Sequence, residues 1–158
     1  MPEKILLPLD GSKIGEAAVP YVEDLLSKLS LKVKTEVTLL RVIASQTHYV
    51  MAGETGARVP YTEKEMEQIK KEAANYLNKT GKGLRSKNVV VKIRVAVGNP
   101  AEEIIKAADE INADLIAMST HGRSGIRRWA FGSVTDRVLR GGNKPILMVR
   151  APREAMKT

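Results

Sequence analysis

Short apolar runs with β-like composition alternate with longer segments of helical periodicity along almost the whole chain. The apolar runs lie at residues 5–9, 33–43, 89–97, 115–118 and 145–149. Apolar residues recur every three or four positions between them, as on the buried face of a helix. This alternation is typical of βαβ units and therefore predicts a parallel sheet covered by helices.

The composition of each run predicts its place in that sheet. The fourth run, 115–118, is apolar on both faces, as is most of the first, so these two belong at the centre of a parallel sheet. The third run carries Lys92 and Arg94 on one face, which is typical of an edge strand. We therefore predict one doubly wound, mostly parallel α/β domain with five strands in the order 3-2-1-4-5 and helices on both faces.

Local signals mark where the helices begin. Ser12 has the residue type of a helix cap, and we expect one helix from there to Leu29. Thr62 and Glu65 form a capping-box pattern, and Asn99 followed by Pro100 starts another helix. A last helix is expected over residues 133–140, ending at a pair of glycines.

Two stretches show neither the alternation of a strand nor the periodicity of a helix. Residues 44–61 contain Gly53, Gly56 and Pro60, and we predict a long loop there, which in compact domains is usually functional or mobile. Residues 151–158 resemble a loose tail, so the expected domain covers residues 1–150.

Composition narrows the class of protein. The 158 residues suit one globular domain, and the absence of cysteine excludes disulfides and thiolate metal sites. The formal net charge of +8 is spread along the chain with few aromatic residues, so we expect a solvated basic surface rather than a nucleic-acid platform. No apolar run approaches the roughly 20 residues that span a bilayer. These features predict a cytoplasmic protein without a membrane partner.

The fold prediction also locates a binding site. In doubly wound sheets, ligands bind beyond the carboxyl ends of the strands where the winding direction reverses, here between the first and fourth strands. Those strands end at Pro8-Leu9-Asp10 and at Met118-Ser119-Thr120-His121-Gly122.

The segment Gly132-Ser133-Val134-Thr135 opens the last predicted helix, and Arg123 lies shortly before it. Unpaired N–H groups and the helix dipole at such a terminus attract phosphate. From the residues alone, this interpretation and a purely structural turn and cap are evenly balanced.

At these residues the chain resembles the universal stress protein family. The family's nucleotide-binding pattern is Gly, two residues, Gly, nine residues, then Gly followed by Ser or Thr. Gly122, Gly132 and Ser133 match it, whereas Ser119 occupies the first glycine position. The likeness extends from residue 5 to residue 149.

The resemblance implies an adenine nucleotide as ligand: ATP, or ADP or AMP in its place, with Mg²⁺ or Mn²⁺ on the phosphates. The implied phosphate and ribose contacts are Gly122, Gly132, Ser133 and Val134, with Thr135 nearby. The implied adenosine contacts are Pro8, Leu9 and Asp10, and Val42 would contact the adenine. Met118, Ser119 and His121 would line the loop. Asp10 would bond base or ribose, or approach the metal. The resemblance also implies a homodimer through the apolar edge strand that starts at Pro145 and ends at Val149.

Four functions compete at this point. The first is a nucleotide-dependent switch or sensor in stress response, with an unidentified protein partner. The second is an ATP-hydrolysing enzyme, which the absence of a P-loop pattern and of a nucleophile–base pair disfavours. The third is a nucleic-acid-binding module. The fourth is a dimeric interaction protein that has lost its ligand, which only Ser119 favours.

Overall fold

A computed structural model describes residues 3–29, 34–120 and 132–152. Five parallel strands form the main sheet, and two further strands form a hairpin. In chain order the strands are β1 (Lys4–Pro8), β2 (Thr35–Ile43), β3 (Thr47–Ala52), β4 (Thr55–Pro60), β5 (Val89–Val97), β6 (Leu115–Thr120) and β7 (Ile146–Arg150). The main sheet has the order β5-β2-β1-β6-β7, so the predicted order of the five apolar runs is confirmed.

The helices are α1 (Lys13–Glu16), α2 (Ala18–Lys28), α3 (Glu63–Thr80), α4 (Pro100–Glu110) and α5 (Ser133–Gly141), with a 3-10 turn at Lys82–Leu84. The predicted start signals are confirmed. The side chains of Ser12, Thr62 and Asn99 each accept a hydrogen bond from a backbone N–H of the first turn, and Glu65 completes the capping box. Each cap satisfies a backbone donor that the helix itself leaves unpaired.

Alternate residues of the central strands enter two apolar cores, one on each face of the sheet. Leu39 of β2 packs in a cluster with α2 and α3, whereas the neighbouring Leu40 packs in a cluster with α4 and α5. Successive side chains of a strand point to opposite faces, which explains the division. The predicted coverage of both faces is therefore confirmed.

The predicted single helix from Ser12 to Leu29 is wrong in one respect, because it breaks at Ala17. Pro20 supplies the physical reason. It has no N–H to donate to the carbonyl of Glu16, and its ring crowds that carbonyl. The result is a short α1 next to the end of β1, followed by the longer α2.

The predicted loop at 44–61 is a β-hairpin. β3 and β4 pair in antiparallel register from Thr47 with Pro60 to Ala52 with Thr55. Gly53 has a φ of 67° at the first position of the two-residue turn, a conformation that favours glycine. All of β4 is exposed, as are residues 49–52 of β3, so no apolar alternation marks these strands in the sequence.

No helix among the described residues is long and apolar enough to cross a membrane. At the other end of the chain, β7 is followed by Ala151, which is buried and whose N–H donates to the carbonyl of Thr120. Residues 153–158, most of the predicted tail, lie outside the described part of the chain.

Candidate functional site

A cavity of about 730 Å³ lies at the carboxyl ends of β1, β2 and β6. This is the edge of the sheet at which the winding direction reverses, between β1 and β6. Its volume falls in the usual range for small-molecule sites, which is about 300–1,000 Å³. The cavity is therefore at the place where the fold prediction puts a ligand.

Eight of the predicted site residues line this cavity, from four separate segments. They are Pro8, Leu9, Asp10, Val42, Met118, Ser119, Val134 and Thr135. Two others, Gly132 and Ser133, are the cap and the first residue of α5 and do not belong to the lining. His121, Gly122 and Arg123 lie outside the described residues.

Asp10 forms the turn that follows β1. Its Oδ1 accepts hydrogen bonds from the Ser12 backbone N–H at 2.9 Å and from the Ser12 hydroxyl at 2.6 Å. The same hydroxyl accepts a bond from the N–H of Gly15 at the start of α1. Asp10 is thus held in one orientation at the cavity wall, and Oδ2 takes no part in these bonds.

Ser119, the departure from the family's glycine pattern, is engaged with α1. Its hydroxyl donates to the backbone carbonyl of Gly15 at 3.0 Å. A side chain at this position therefore satisfies a carbonyl near the end of α1 while it borders the cavity. Met118 beside it combines two roles, because it packs in the core and also lines the cavity.

The amino-terminal turn of α5 forms another part of the site. Gly132 caps the helix without a side-chain hydrogen bond, and its carbonyl accepts from the N–H of Asp136. Thr135 is buried, and Val134 next to it is half-buried. This turn brings the positive end of a nine-residue helix to the cavity.

Several lining residues were not predicted to be in the site. They are Gly11, Gly15, Leu40, Arg41, Ile43, Ala44, Ser45, Tyr61, Ile69, Glu72, Ala73, Tyr76, Pro100 and Ile104. The one signal that was available is Arg41, a charge near the end of an otherwise apolar run. The sequence pattern of the α3 residues predicts only a buried helix face, because helical periodicity does not show what a helix packs against.

Tyr76 connects α3 to α1 at the cavity wall. Its hydroxyl donates to Glu16 Oε1 at 2.7 Å. Burial raises the pKa of Tyr76 above its ordinary value, and the hydrogen bond to Glu16 raises it further. The tyrosine is therefore a neutral donor at physiological pH.

The charged residues of the described lining are Asp10, Arg41 and Glu72. Among the described residues, no group of three His, Cys, Asp or Glu side chains is placed to hold a metal ion.

Comparison with known proteins gives one family. A sequence profile of the universal stress protein family matches residues 1–150. Universal stress protein MJ0577 of Methanocaldococcus jannaschii is 33% identical over 159 positions, covering 95% of this chain and 96% of its own. A solved structure of hypothetical protein MJ0577 superposes with a TM-score of 0.70 at 29% identity, covering 96% of this chain and 97% of that one.

More distant structures share the fold. A universal stress protein in complex with cAMP superposes with a TM-score of 0.66 at 17% identity, covering 96% of this chain and 99% of that one. The universal stress protein from Archaeoglobus fulgidus in complex with dAMP has a TM-score of 0.58 at 17% identity, with coverages of 92% and 96%.

Proposed function

Because this chain belongs to the universal stress protein family, we propose that it binds an adenine nucleotide in the cavity at the carboxyl ends of β1, β2 and β6. One observation carries the proposal. Residues from the ends of three strands and from the first turn of α5, separated by up to 127 positions in the chain (Pro8 to Thr135), border a single cavity. Proteins of the same fold form complexes with cAMP and dAMP, which supports an adenine ligand.

The described geometry suggests how the nucleotide is held. Backbone N–H groups and the dipole at the start of α5 attract the phosphates, and Gly132 and Ser133, which begin the helix beside the lining residue Val134, would contact them. Apolar contacts from Leu9, Val42 and Met118 enclose the adenosine. The Oδ2 oxygen of Asp10 bonds the ribose or base, or binds Mg²⁺ or Mn²⁺ carried on the phosphates.

We propose that the physiological role is that of a switch, with at most weak ATP hydrolysis. ATP is the proposed ligand, with ADP or AMP as the alternatives, and occupancy would change contacts with a protein partner in the cytoplasm. The hairpin is the element suited to transmit the change, because Ser45 and Tyr61 at its base line the cavity. A homodimer through the edge strand β7 completes the proposal.

The alternative in which the ligand has been lost depends on Ser119. Its hydroxyl is bonded to the Gly15 carbonyl. Because this hydroxyl already has a partner in the protein, a bound nucleotide would not have to satisfy it. Compared with glycine, serine narrows the cavity by only one small side chain. We therefore keep nucleotide binding as the leading function.

Substitution of Gly132 by valine tests the site. A Cβ at this position would meet no described atom within 4 Å, and its φ of −54° and ψ of 154° suit any residue. We expect the variant to fold, while its branched side chain blocks approach of a phosphate to the start of α5. Titration calorimetry with ATP and Mg²⁺ should show an affinity loss of at least about 100-fold, or about 2.7 kcal/mol.

The matched control is Leu139→Val, an exposed position on the same helix. It introduces the same side chain into α5 without touching the cavity, and we expect wild-type affinity. Mass spectrometry of gently purified wild-type protein should also show a co-purified adenine nucleotide. Equal ATP affinity in Gly132→Val and wild type would refute the site assignment.

A further inference from the structure

The cavity extends across both faces of the sheet. Val42 of β2 packs with the α4–α5 core, and Val134 of α5 belongs to the same side. Arg41, one residue earlier, shares the opposite face with Leu39, whose core contains α2 and α3. The arginine thus lies on the far side of the sheet from the helix terminus that would hold the nucleotide's phosphates.

Arg41 acts on Tyr76 through its charge, which lowers the pKa of that tyrosine, but it forms no ion pair or hydrogen bond with a described residue. Two of the described arginines are half-buried, Arg41 and Arg94. Arg94 forms an ion pair with Glu110, whereas the guanidinium of Arg41 forms neither an ion pair nor a hydrogen bond with any described residue. A guanidinium has five donors, and leaving them unpaired in a half-buried place is unfavourable.

The nearby carboxylates are bonded elsewhere. Asp10 accepts from Ser12, and Glu16 accepts from Tyr76. Glu72, which lines the cavity, accepts from the amide of Gln68 at 3.1 Å. All of these partners are neutral donors, so they hold the carboxylates in place and leave the donors of Arg41 for a bound molecule.

The turn after β1 fits against this guanidinium. A Cβ added to Gly11 would lie 3.2 Å from Arg41 Nη1, and Gly11 has a φ of 86°, which favours glycine. The turn therefore leaves room for the arginine at the mouth of the cavity. Arg41 is also the one cation in the described lining.

We propose that Arg41 forms a second anion subsite, which selects nucleotides carrying a phosphate on the ribose 2′ or 3′ oxygen in addition to the 5′ phosphate. The inference rests on the proposed nucleotide function. β2 lies two strand spacings, about 10 Å, from β6, whose end leads to α5. A 5′ phosphate at α5 thus directs the ribose toward β1 and β2.

General chemistry favours a phosphate at this place. A guanidinium binds phosphate through two parallel hydrogen bonds, which gives both strength and direction. In other doubly wound folds an arginine near the ribose accommodates the 2′ phosphate of NADP. The carboxylates of Asp10 and Glu72 repel a second anion that is not held by the guanidinium, so the subsite depends on Arg41.

Titration calorimetry on three proteins tests the subsite. Wild type, Arg41→Met and Arg94→Met are titrated with 5′-AMP, adenosine 2′,5′-bisphosphate and adenosine 3′,5′-bisphosphate at one salt concentration. We expect wild type to bind at least one bisphosphate about 10-fold more tightly than AMP. The two bisphosphates distinguish the ribose position.

The ratio of bisphosphate to AMP affinity is the readout. In Arg41→Met this ratio should fall below about 2, because the guanidinium and its paired N–H donors are lost. In Arg94→Met the ratio should stay at the wild-type value. Arg41→Lys keeps the positive charge but cannot form two parallel hydrogen bonds to one phosphate, so it should give an intermediate ratio. Arg41→Lys also tests the subsite if Arg41→Met does not fold.

A wild-type ratio near 1, or a high ratio that survives in both Arg41 variants, overturns the subsite and leaves adenine nucleotide binding intact. If neither AMP nor ATP binds to the wild type, the proposed function and the subsite fail together.

Discussion

At the residue scale, two polar side chains of the candidate site are already hydrogen-bonded within the protein. Asp10 is fixed by Ser12, and Ser119 by the carbonyl of Gly15. Such bonds hold side chains in one orientation before a ligand arrives, which lowers the entropy cost of binding. The strand-end residues were predictable because the switch point of the sheet follows from strand order alone.

Arg41 and Tyr76 show what could not be predicted at this scale. The predicted strand order already puts β2 beside β1, but strand order alone does not show that Arg41 at the end of β2 lines the cavity. Tyr76 meets Glu16 from a position 60 residues away. Contacts of this kind arise from how helices pack on the sheet, and helical periodicity carries no information about the partner.

Tyr76 gives the molecule an alkaline dependence of stability. Its pKa is raised in the folded protein by burial and by the bond to Glu16, whereas in the unfolded chain it is about 10. The neutral hydroxyl is therefore favoured by folding. This contribution is fully present below about pH 10 and is lost as the pH rises toward the folded pKa.

We expect the free energy of unfolding to fall less steeply above roughly pH 10 in Tyr76→Phe than in wild type. At neutral pH the variant should lose about 1 kcal/mol with its hydrogen bond. Urea unfolding followed by circular dichroism at several pH values measures both effects. Tyr21→Phe, at a position that is 48% exposed, should keep the wild-type slope. Identical slopes in all three proteins would contradict the assignment.

At the element scale, local signals predicted the helices well and the hairpin not at all. Caps such as Thr62 and Asn99 act within four residues, so sequence spacing reveals them. The hairpin lies outside the core, so neither face imposes a repeating apolar pattern on β3 and β4. Alternation identifies a strand only where one of its faces is buried.

The capping box of α3 makes a prediction about stability. Thr62→Ala removes the acceptor for the Glu65 N–H, and the unfolding free energy should fall by about 1 kcal/mol. Thermal and urea unfolding measure the change. Lys64→Ala, at an exposed position of the same first turn, should change stability by no more than about 0.5 kcal/mol. Equal losses in both variants would show that the cap contributes nothing specific.

At the scale of the whole molecule, β7 is the last strand of the main sheet among the described residues, and the proposed dimer would pair through its outer edge. The carbonyl of Pro145 and the N–H of Ala151 both bond to β6. Because backbone groups of a strand alternate in direction, those of Met148 point away from β6 toward the free edge. An unpaired edge of this kind is a natural site for pairing with a second strand.

Met148→Pro should therefore convert the proposed dimer to a monomer while the sheet survives, since proline removes a donor only from the free edge. Light scattering coupled to size-exclusion chromatography measures the mass. Met148→Leu keeps the N–H and should remain dimeric. A dimer of unchanged stability in Met148→Pro would place the interface elsewhere.

The hairpin has a practical consequence, because residues at its base line the cavity whereas residues at its tip do not. The N–H of Tyr61 bonds to the carbonyl of Gln46, which joins the two ends of the hairpin, while Gly53 and Glu54 form its turn. The sequence contains no cysteine, so Glu54→Cys creates a unique thiol for a fluorescent label. A label at this position would report on the proposed nucleotide binding by a change in its fluorescence.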